Sequence, residues 1–200
     1  MRYRFLWVMA AMLSTWLDAG FVHAENNAAK KWISGAHSFS DELGGFAIVG
    51  LTGRGSYDDP VVMTQEIYST GKSIITIRQV PALAGAFGVQ SSWTTLHIQF
   101  RTLNRSDAGW IGFRFELQEE LGRASIYGDG LSFNQLTRDG TNILSDKFSK
   151  YEVEFEPADR LVFNTGTVDR AETVNFTIFL LDLTPSTIFY IEQVPYLPAS

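Results

Sequence analysis

Few residues in this sequence of 200 could carry covalent or acid–base catalysis. It contains no cysteine, which excludes thiolate nucleophiles, thiolate metal sites and disulfide scaffolds. A serine nucleophile would need an imidazole base within hydrogen-bond reach. Beyond residue 24 only His37 and His97 could supply one, and no G-x-S-x-G nucleophile elbow accompanies them. The sequence therefore predicts no nucleophilic catalytic site.

A polar strand face around His97 is the first candidate for ligand binding. His97 falls on the polar side of a predicted strand with Gln99 and Arg101. Arg114 and Glu116 occupy the polar side of a second predicted strand, which we expect to be a neighbour in the same sheet. Such a face can bind a ligand, and it can equally be an ordinary solvated sheet surface.

Carboxylates are the second candidate for chemistry, because glycoside hydrolysis needs two carboxyl groups that flank one sugar site. The adjacent pairs Asp58-Asp59 and Glu119-Glu120 point their members to different sides of an extended chain. A later predicted strand carries three carboxylates on one face: Glu152, Glu154 and Glu156. Like charges in a row repel and are typical of a solvated or protected sheet edge. We therefore expect a protein that is not an enzyme.

Calcium is the ion that these residue types favour, because oxygen atoms are the ligands that the chain can offer. Acidic and amide oxygens are concentrated at Asp129, Asp139, Asn142 and Asp146. Their spacing does not match the D-x-D-x-D-G calcium loop. Ordinary Asp-Gly turns are the alternative interpretation. We expect no obligatory cofactor, with calcium as the candidate ion.

Four aromatic residues lie in or beside predicted loops, where binding residues are concentrated: Tyr57, Trp93, Trp110 and Tyr127. Their rings could stack on sugar rings, and they could equally pack at the rim of the core. Trp110 immediately precedes an apolar strand, so it could seal one end of the fold.

Composition and charge exclude several classes of protein. Apolar residues make up 45% of the sequence, which is enough for a sizeable core and excludes a chain disordered throughout. The formal net charge is −6 at pH 7. Nucleic acids and anionic membranes repel such an acidic surface, so neither is an expected partner.

The first 24 residues have the three regions of a secretory signal peptide. Arg2 and Arg4 precede the apolar run 5–17, and Val22 and Ala24 stand at the −3 and −1 positions of a cleavage site. The apolar run as a helix would reach roughly 20 Å, short of the roughly 30 Å hydrocarbon core of a bilayer. A retained signal anchor is the alternative. We expect residues 25–200 to form a single domain without a stable membrane span, in the periplasm or outside the cell.

Apolar and polar residues alternate with period two in most of the remaining sequence, as they do in half-buried strands. The predicted strands are Phe46–Leu51, Val61–Tyr68, Ile74–Val80, Thr95–Arg101, Ile111–Gln118, Tyr151–Glu156, Arg160–Asn164, Thr173–Leu180 and Thr187–Val194. Strands with one apolar face each predict two packed antiparallel sheets. The expected fold is an all-β sandwich, jelly-roll-like, with a closed barrel as the alternative.

Three motifs in the second half of the chain resemble exported bacterial β-sandwich domains of the proteins that carry the PEP-CTERM sorting signal. The first is an Asn and a turn before a W-x-x-F strand, in Thr102–Leu117. The second is the G-D-G-L-x-F element Gly128–Phe133. The third is a paired-strand end, Asp159–Val168 followed by Val174–Leu180 and Phe189–Pro195.

The resemblance implies a surface or matrix domain in an exopolysaccharide-producing bacterium, and it implies no catalytic residues. The sequence stops at Val194–Ser200, where those proteins continue into a Val-Pro-Glu-Pro signal, an apolar span and a basic tail. Without that sorting anchor, a freely exported product is expected.

These features together predict a secreted, non-enzymatic β-sandwich protein with an interaction or structural role in the bacterial envelope or extracellular matrix. Its expected partner is an extracellular polysaccharide or an envelope protein. A carbohydrate-binding module, with or without calcium, is the first alternative, and a polysaccharide-acting enzyme is the second. Self-association through an edge strand is a further expectation, with Thr187–Ser200 as its candidate segment.

Overall fold

Residues 32–80, 94–126, 128–133 and 142–199 are described by a computed structural model, and their regular secondary structure is entirely β-strand. The predicted signal peptide and three candidate residues, Trp93, Tyr127 and Asp139, lie outside the described residues. Within the described ranges, no helix has the length and apolar character needed to cross a membrane.

The alternating segments form the strands that their periodicity predicts, and short additional strands complete the sheets. The strands are β1 (Trp32–Ser34), β2 (His37–Ser40), β3 (Phe46–Thr52), β4 (Val61–Ile67), β5 (Ser73–Gln79), β6 (Thr94–Asn104), β7 (Gly112–Gln118), β8 (Leu131–Phe133), β9 (Leu144–Ser145), β10 (Phe148–Glu154), β11 (Arg160–Gly166), β12 (Thr173–Asp182) and β13 (Ile188–Tyr196).

Two sheets are packed together, which confirms the predicted β-sandwich. The seven-stranded sheet has the order β1-β2-β5-β13-β7-β11-β10. The six-stranded sheet has the order β3-β4-β6-β12-β8, with β9 also paired to β12. The pairing of β4 with β6 is parallel, and the other strand pairs are antiparallel.

Aromatic side chains from both sheets fill the space between them. Phe176 of β12 contacts Phe113 and Phe115 of β7, with ring centroids 4.9 and 5.2 Å apart. Phe163 of β11 lies 4.9 Å from Phe176, and Phe100 of β6 stacks on Phe115 at 5.2 Å. All five rings are at most 1% exposed. Burial of each ring stabilises the fold by about 1.5–3 kcal/mol, so this cluster is a main source of cohesion between the sheets.

The strands of the structure differ from the predicted ones in three respects. The short strands β1, β2, β8 and β9 were not predicted, because two to four residues are too few to establish a period. The predicted strand Ile111–Gln118 begins one residue later, at Gly112, because Ile111 lies in a bend and is 45% exposed. The C-terminal segment does not provide a sheet edge, because β13 pairs with β5 on one side and with β7 on the other.

The edges of the seven-stranded sheet are β1 and β10. The expected row of carboxylates does lie on an edge, since Glu152 and Glu154 belong to β10 and are exposed. Charged edges disfavour pairing with a second chain.

Candidate functional site

An exposed tyrosine is held beside His97 by the loop between β3 and β4. The carbonyl oxygen of Gly55 accepts a hydrogen bond from the His97 backbone amide at 2.9 Å. Gly55 has a φ of +92°, and a Cβ atom there would lie 2.6 Å from Leu96 Cδ1. Only glycine fits this close approach without strain. The same loop closes on itself, because the amides of Arg54 and Gly55 both donate to the Asp59 carbonyl.

Three rings form a group on the outer face of the six-stranded sheet, and we call it the Tyr57–His97–Phe179 group. The Tyr57 and His97 rings meet edge to face, with centroids 5.5 Å apart and planes at 84°. The rings of His97 and Phe179 are paired across β6 and β12, with centroids 4.4 Å apart. Tyr57 remains 72% exposed, whereas Phe179 is buried. The group therefore has an apolar base and an accessible aromatic surface.

Burial lowers the pKa of His97 below its usual value. The imidazole is therefore neutral at neutral pH, with one nitrogen as a donor and the other as an acceptor. Neither nitrogen forms a hydrogen bond or ion pair with the described residues. The ring can accordingly bind a neutral polar ligand through both nitrogens. Among the described residues, no carboxylate orients it as a catalytic base.

Polar residues extend the group along the outer face of the same sheet. Gln99 and Arg101 follow His97 at alternate positions of β6 and are exposed. Their cross-strand neighbours are Thr177 and Asn175 of β12. Arg101 makes no ion pair within the described part of the chain. This face thus presents a guanidinium group that no carboxylate of the described residues pairs with directly.

Arg114 does not belong to this face, which corrects the prediction that it shares a sheet with His97. Arg114 lies on β7 of the seven-stranded sheet, whereas His97 lies on β6 of the six-stranded sheet. Its Nη2 atom is 2.7 Å from Glu192 Oε1, so its charge is already neutralised. Sequence alone could not assign the two strands to different sheets.

Trp110 is fully buried and does not offer a ring to a sugar, so that part of the prediction is wrong. It is 0% exposed, and its ring centroid lies 5.4 Å from that of Phe113. Its Nε1 atom donates to Ser106 Oγ at 3.1 Å, which satisfies the one polar group of the indole. Trp110 therefore seals the core, which was the alternative interpretation.

Two of the candidate calcium ligands, Asp129 and Asp146, accept hydrogen bonds from backbone amides. Asp129 accepts hydrogen bonds from the amides of Ile126 and Leu131 at 2.7 and 3.1 Å. Asp146 accepts a bond from the Asn175 amide at 2.8 Å. Asn142, the third candidate ligand in the described residues, also has an interaction partner. Across the described ranges, no three acidic or histidine side chains come together in a way that could hold a metal ion.

A pair of carboxylates that the sequence did not reveal lies on the outer face of the seven-stranded sheet. Glu116 and Glu192 stand directly opposite each other on β7 and β13, and both are 6% exposed. Burial alone would raise the pKa of Glu116, but hydrogen bonds from Arg160 and Gln118 and the charges of Arg160 and Arg114 lower it. A general acid needs a raised pKa, so Glu116 does not fit that role in glycoside hydrolysis.

His37 and Asp182, an imidazole and a carboxyl group, line a small cavity. Its volume is about 10 Å³, enough for one water molecule at most. Burial lowers the pKa of His37 to about 4. This cavity cannot admit a polymer, so the outer face around His97 is the better candidate site.

The chain matches no known family model, no curated protein and no solved structure. The resemblance to PEP-CTERM-associated domains accordingly stays a prediction.

Proposed function

We propose that this protein is a secreted, non-enzymatic binding domain that engages an extracellular polysaccharide through the outer face of its six-stranded sheet. The observation that carries the proposal is the accessible ring of Tyr57, held by a loop against a neutral His97. An exposed aromatic ring is suited to the apolar face of a sugar, and neighbouring donors and acceptors are suited to its hydroxyl groups.

Arg101 indicates which class of sugar this face favours. A guanidinium forms paired, charge-assisted hydrogen bonds with a carboxylate. Because Arg101 has no acidic partner within the described residues, such an interaction replaces no existing ion pair. A polysaccharide that contains uronic acids is therefore the favoured ligand.

The absence of an acid–base pair at this face, among the residues described, supports a binding role over hydrolysis. His97 has no orienting carboxylate there, and the carboxylates of Glu116 and Glu192 are compensated by arginines on the other sheet.

The experiment is a comparison of binding to a polyuronate and to a neutral polysaccharide by the purified protein. Tyr57→Ala should weaken binding to both polymers by tenfold or more. Arg101→Gln should weaken binding to the polyuronate and leave binding to the neutral polymer unchanged. Tyr68→Ala is the matched control, because Tyr68 is also an exposed tyrosine (52%) but follows the opposite end of β4.

Equal binding by all four proteins would contradict the assignment of this face. Lack of binding to any polymer by the unaltered protein would contradict the carbohydrate ligand and direct attention to an envelope protein.

A further inference from the structure

A buried carboxyl group without a partner lies where three segments of the chain meet. Asp159 is 0% exposed, and neither of its carboxyl oxygens has a hydrogen-bond partner among the residues that the structure describes. Buried carboxyl groups are rarely left unpaired, because burial of an uncompensated charge is costly. Nothing in the fold or in the proposed binding face accounts for this one.

The backbone of Asp159 joins the end of β7 to the loop that follows it. The Asp159 amide donates to the Ser125 carbonyl at 2.8 Å, and the Leu117 amide donates to the Asp159 carbonyl at 3.0 Å. The Ser125 amide in turn donates to the Leu117 carbonyl at 2.8 Å. We call this ring of three bonds the Leu117–Ser125–Asp159 junction. It attaches the loop after β7 to the start of β11.

The junction also fixes one wall of a cavity. Ser125 Oγ lies 2.6 Å from Asp129 Oδ2 and 3.1 Å from the Leu131 carbonyl oxygen, and its single proton is shared between these two acceptors. Ser125 and Asp129 line a cavity of about 100 Å³ together with Glu119 and Glu120. The shape of this cavity therefore depends on the junction being closed.

The charged groups that act on the Asp159 carboxyl are themselves acidic. Burial, Asp129 from the loop and Glu156 from the connection before β11 together raise the pKa of Asp159 to about 7. Burial, together with the charge of Asp129, also raises the pKa values of two further carboxyl groups: Glu119 after β7 and Asp182 at the end of β12. Within the described residues, Arg123 is the cation that acts on this cluster, and it acts on Glu119.

We propose that Asp159 is a proton-operated latch: the protonated carboxyl keeps the Leu117–Ser125–Asp159 junction closed, and ionisation loosens it. The neutral form needs no compensating cation when it is buried, whereas the carboxylate is repelled by the negative charges of Asp129 and Glu156. Opening hydrates the charge and relieves the repulsion. The loop that lines the cavity is thus held firmly in acid and released at neutral to alkaline pH. This inference is independent of the polysaccharide-binding face.

The experiment is amide hydrogen exchange by NMR on the full chain between pH 5 and pH 8, corrected for intrinsic exchange rates. Protection of the Ser125 and Asp159 amides should fall by roughly tenfold per pH unit up to about pH 7 and then level off. Asp159→Asn should abolish this dependence and protect both amides at least tenfold better than in the unaltered protein at pH 8. Asp58→Asn is the matched control: it removes one charge from an exposed aspartate and should keep the dependence.

Two results would overturn the latch: an unaltered protein whose protection is constant over this range, or an Asp159→Asn variant with the unaltered pH dependence. If that variant does not fold, the ¹³C chemical shift of the Asp159 carboxyl group, measured against pH in the unaltered protein, tests the proposal instead. A titration midpoint near 7 supports the proposal, and a midpoint near 4 overturns it.

Discussion

Gln65 of β4 and Gln193 of β13 exchange hydrogen bonds through the interior and so join the two sheets. Gln65 Nε2 donates to Gln193 Oε1 at 2.6 Å, and Gln193 Nε2 donates back to Gln65 Oε1 at 3.3 Å. Both side chains are 0% exposed, and Gln65 Nε2 also reaches Thr102 Oγ1 at 2.9 Å. A buried pair of this kind is satisfied only when the sheets are correctly aligned, so it favours one alignment over others.

The first prediction concerns the loss of one member of this pair. Gln193→Leu leaves the Gln65 amide without its inter-sheet partner, which should lower the free energy of unfolding by about 1–3 kcal/mol. Gln65→Leu together with Gln193→Leu should cost less than the sum of the single changes, since no orphaned amide then remains. Urea unfolding of the four proteins gives the interaction energy, and strict additivity would contradict coupling of the two side chains.

The second prediction concerns Gly55. Gly55→Ala places a Cβ atom against Leu96 and strains a positive φ, so the loop must move away from β6. We expect polysaccharide binding to weaken as much as it does in Tyr57→Ala, because Tyr57 loses its position beside His97. Gly44→Ala is the matched control, since Gly44 also has a positive φ (+78°) but has no atoms within 4 Å of an added Cβ. Equal effects of the two changes on binding would show that the position of this loop is not required.

The third prediction separates core packing from ligand binding. Trp110→Phe removes the indole bond to Ser106 and leaves space in the core, so the free energy of unfolding should fall by about 1–3 kcal/mol. Affinity for the polysaccharide should not change at a temperature where the variant is folded. A variant with unaltered stability but reduced affinity would contradict this prediction and show that Trp110 takes part in binding.

Alternation of apolar and polar residues was sufficient to predict nine strands, because each side chain's orientation in a strand follows from its own sequence position. It was also sufficient to place His97 and Arg101 on an outward face. It could not pair strands distant in sequence. For that reason Arg114 and His97 were expected in one sheet, and the carboxylates of Glu116 and Glu192 were not seen as opposite residues.

The local sequence pattern also could not predict which side chains are buried at the ends of the sandwich. Trp110 and Tyr57 both stand in or beside loops, but one is sealed in the core and the other is exposed. The difference depends on contacts with Phe113 in the first case and with His97 in the second. Asp159 precedes a strand like many surface aspartates, and only the folded structure shows that its carboxyl group is fully buried.

The last prediction is a dependence of stability on pH that His37 and Asp159 produce with opposite signs. Burial lowers the pKa of His37 from 6.5 to about 4, so unfolding takes up a proton between these values and acid destabilises the fold. The raised pKa of Asp159 means that unfolding releases a proton between pH 3.8 and about 7, so acid stabilises the fold. Each contribution has a slope of at most about 1.4 kcal/mol per pH unit.

Comparison of urea unfolding at pH 4.5 and pH 6.5 isolates these two residues, because the other titrating groups are common to all the proteins. His37→Gln should lose less stability on acidification than the unaltered protein. The variant has no buried imidazole group, so acid no longer favours its unfolded state by protonating that group. Asp159→Asn should lose more, since only the destabilising effect of His37 protonation then remains. The difference between the two variants should approach about 5 kcal/mol over the two pH units if both groups titrate fully in this window. A difference below about 1 kcal/mol would show that neither residue has the shifted pKa that its burial implies.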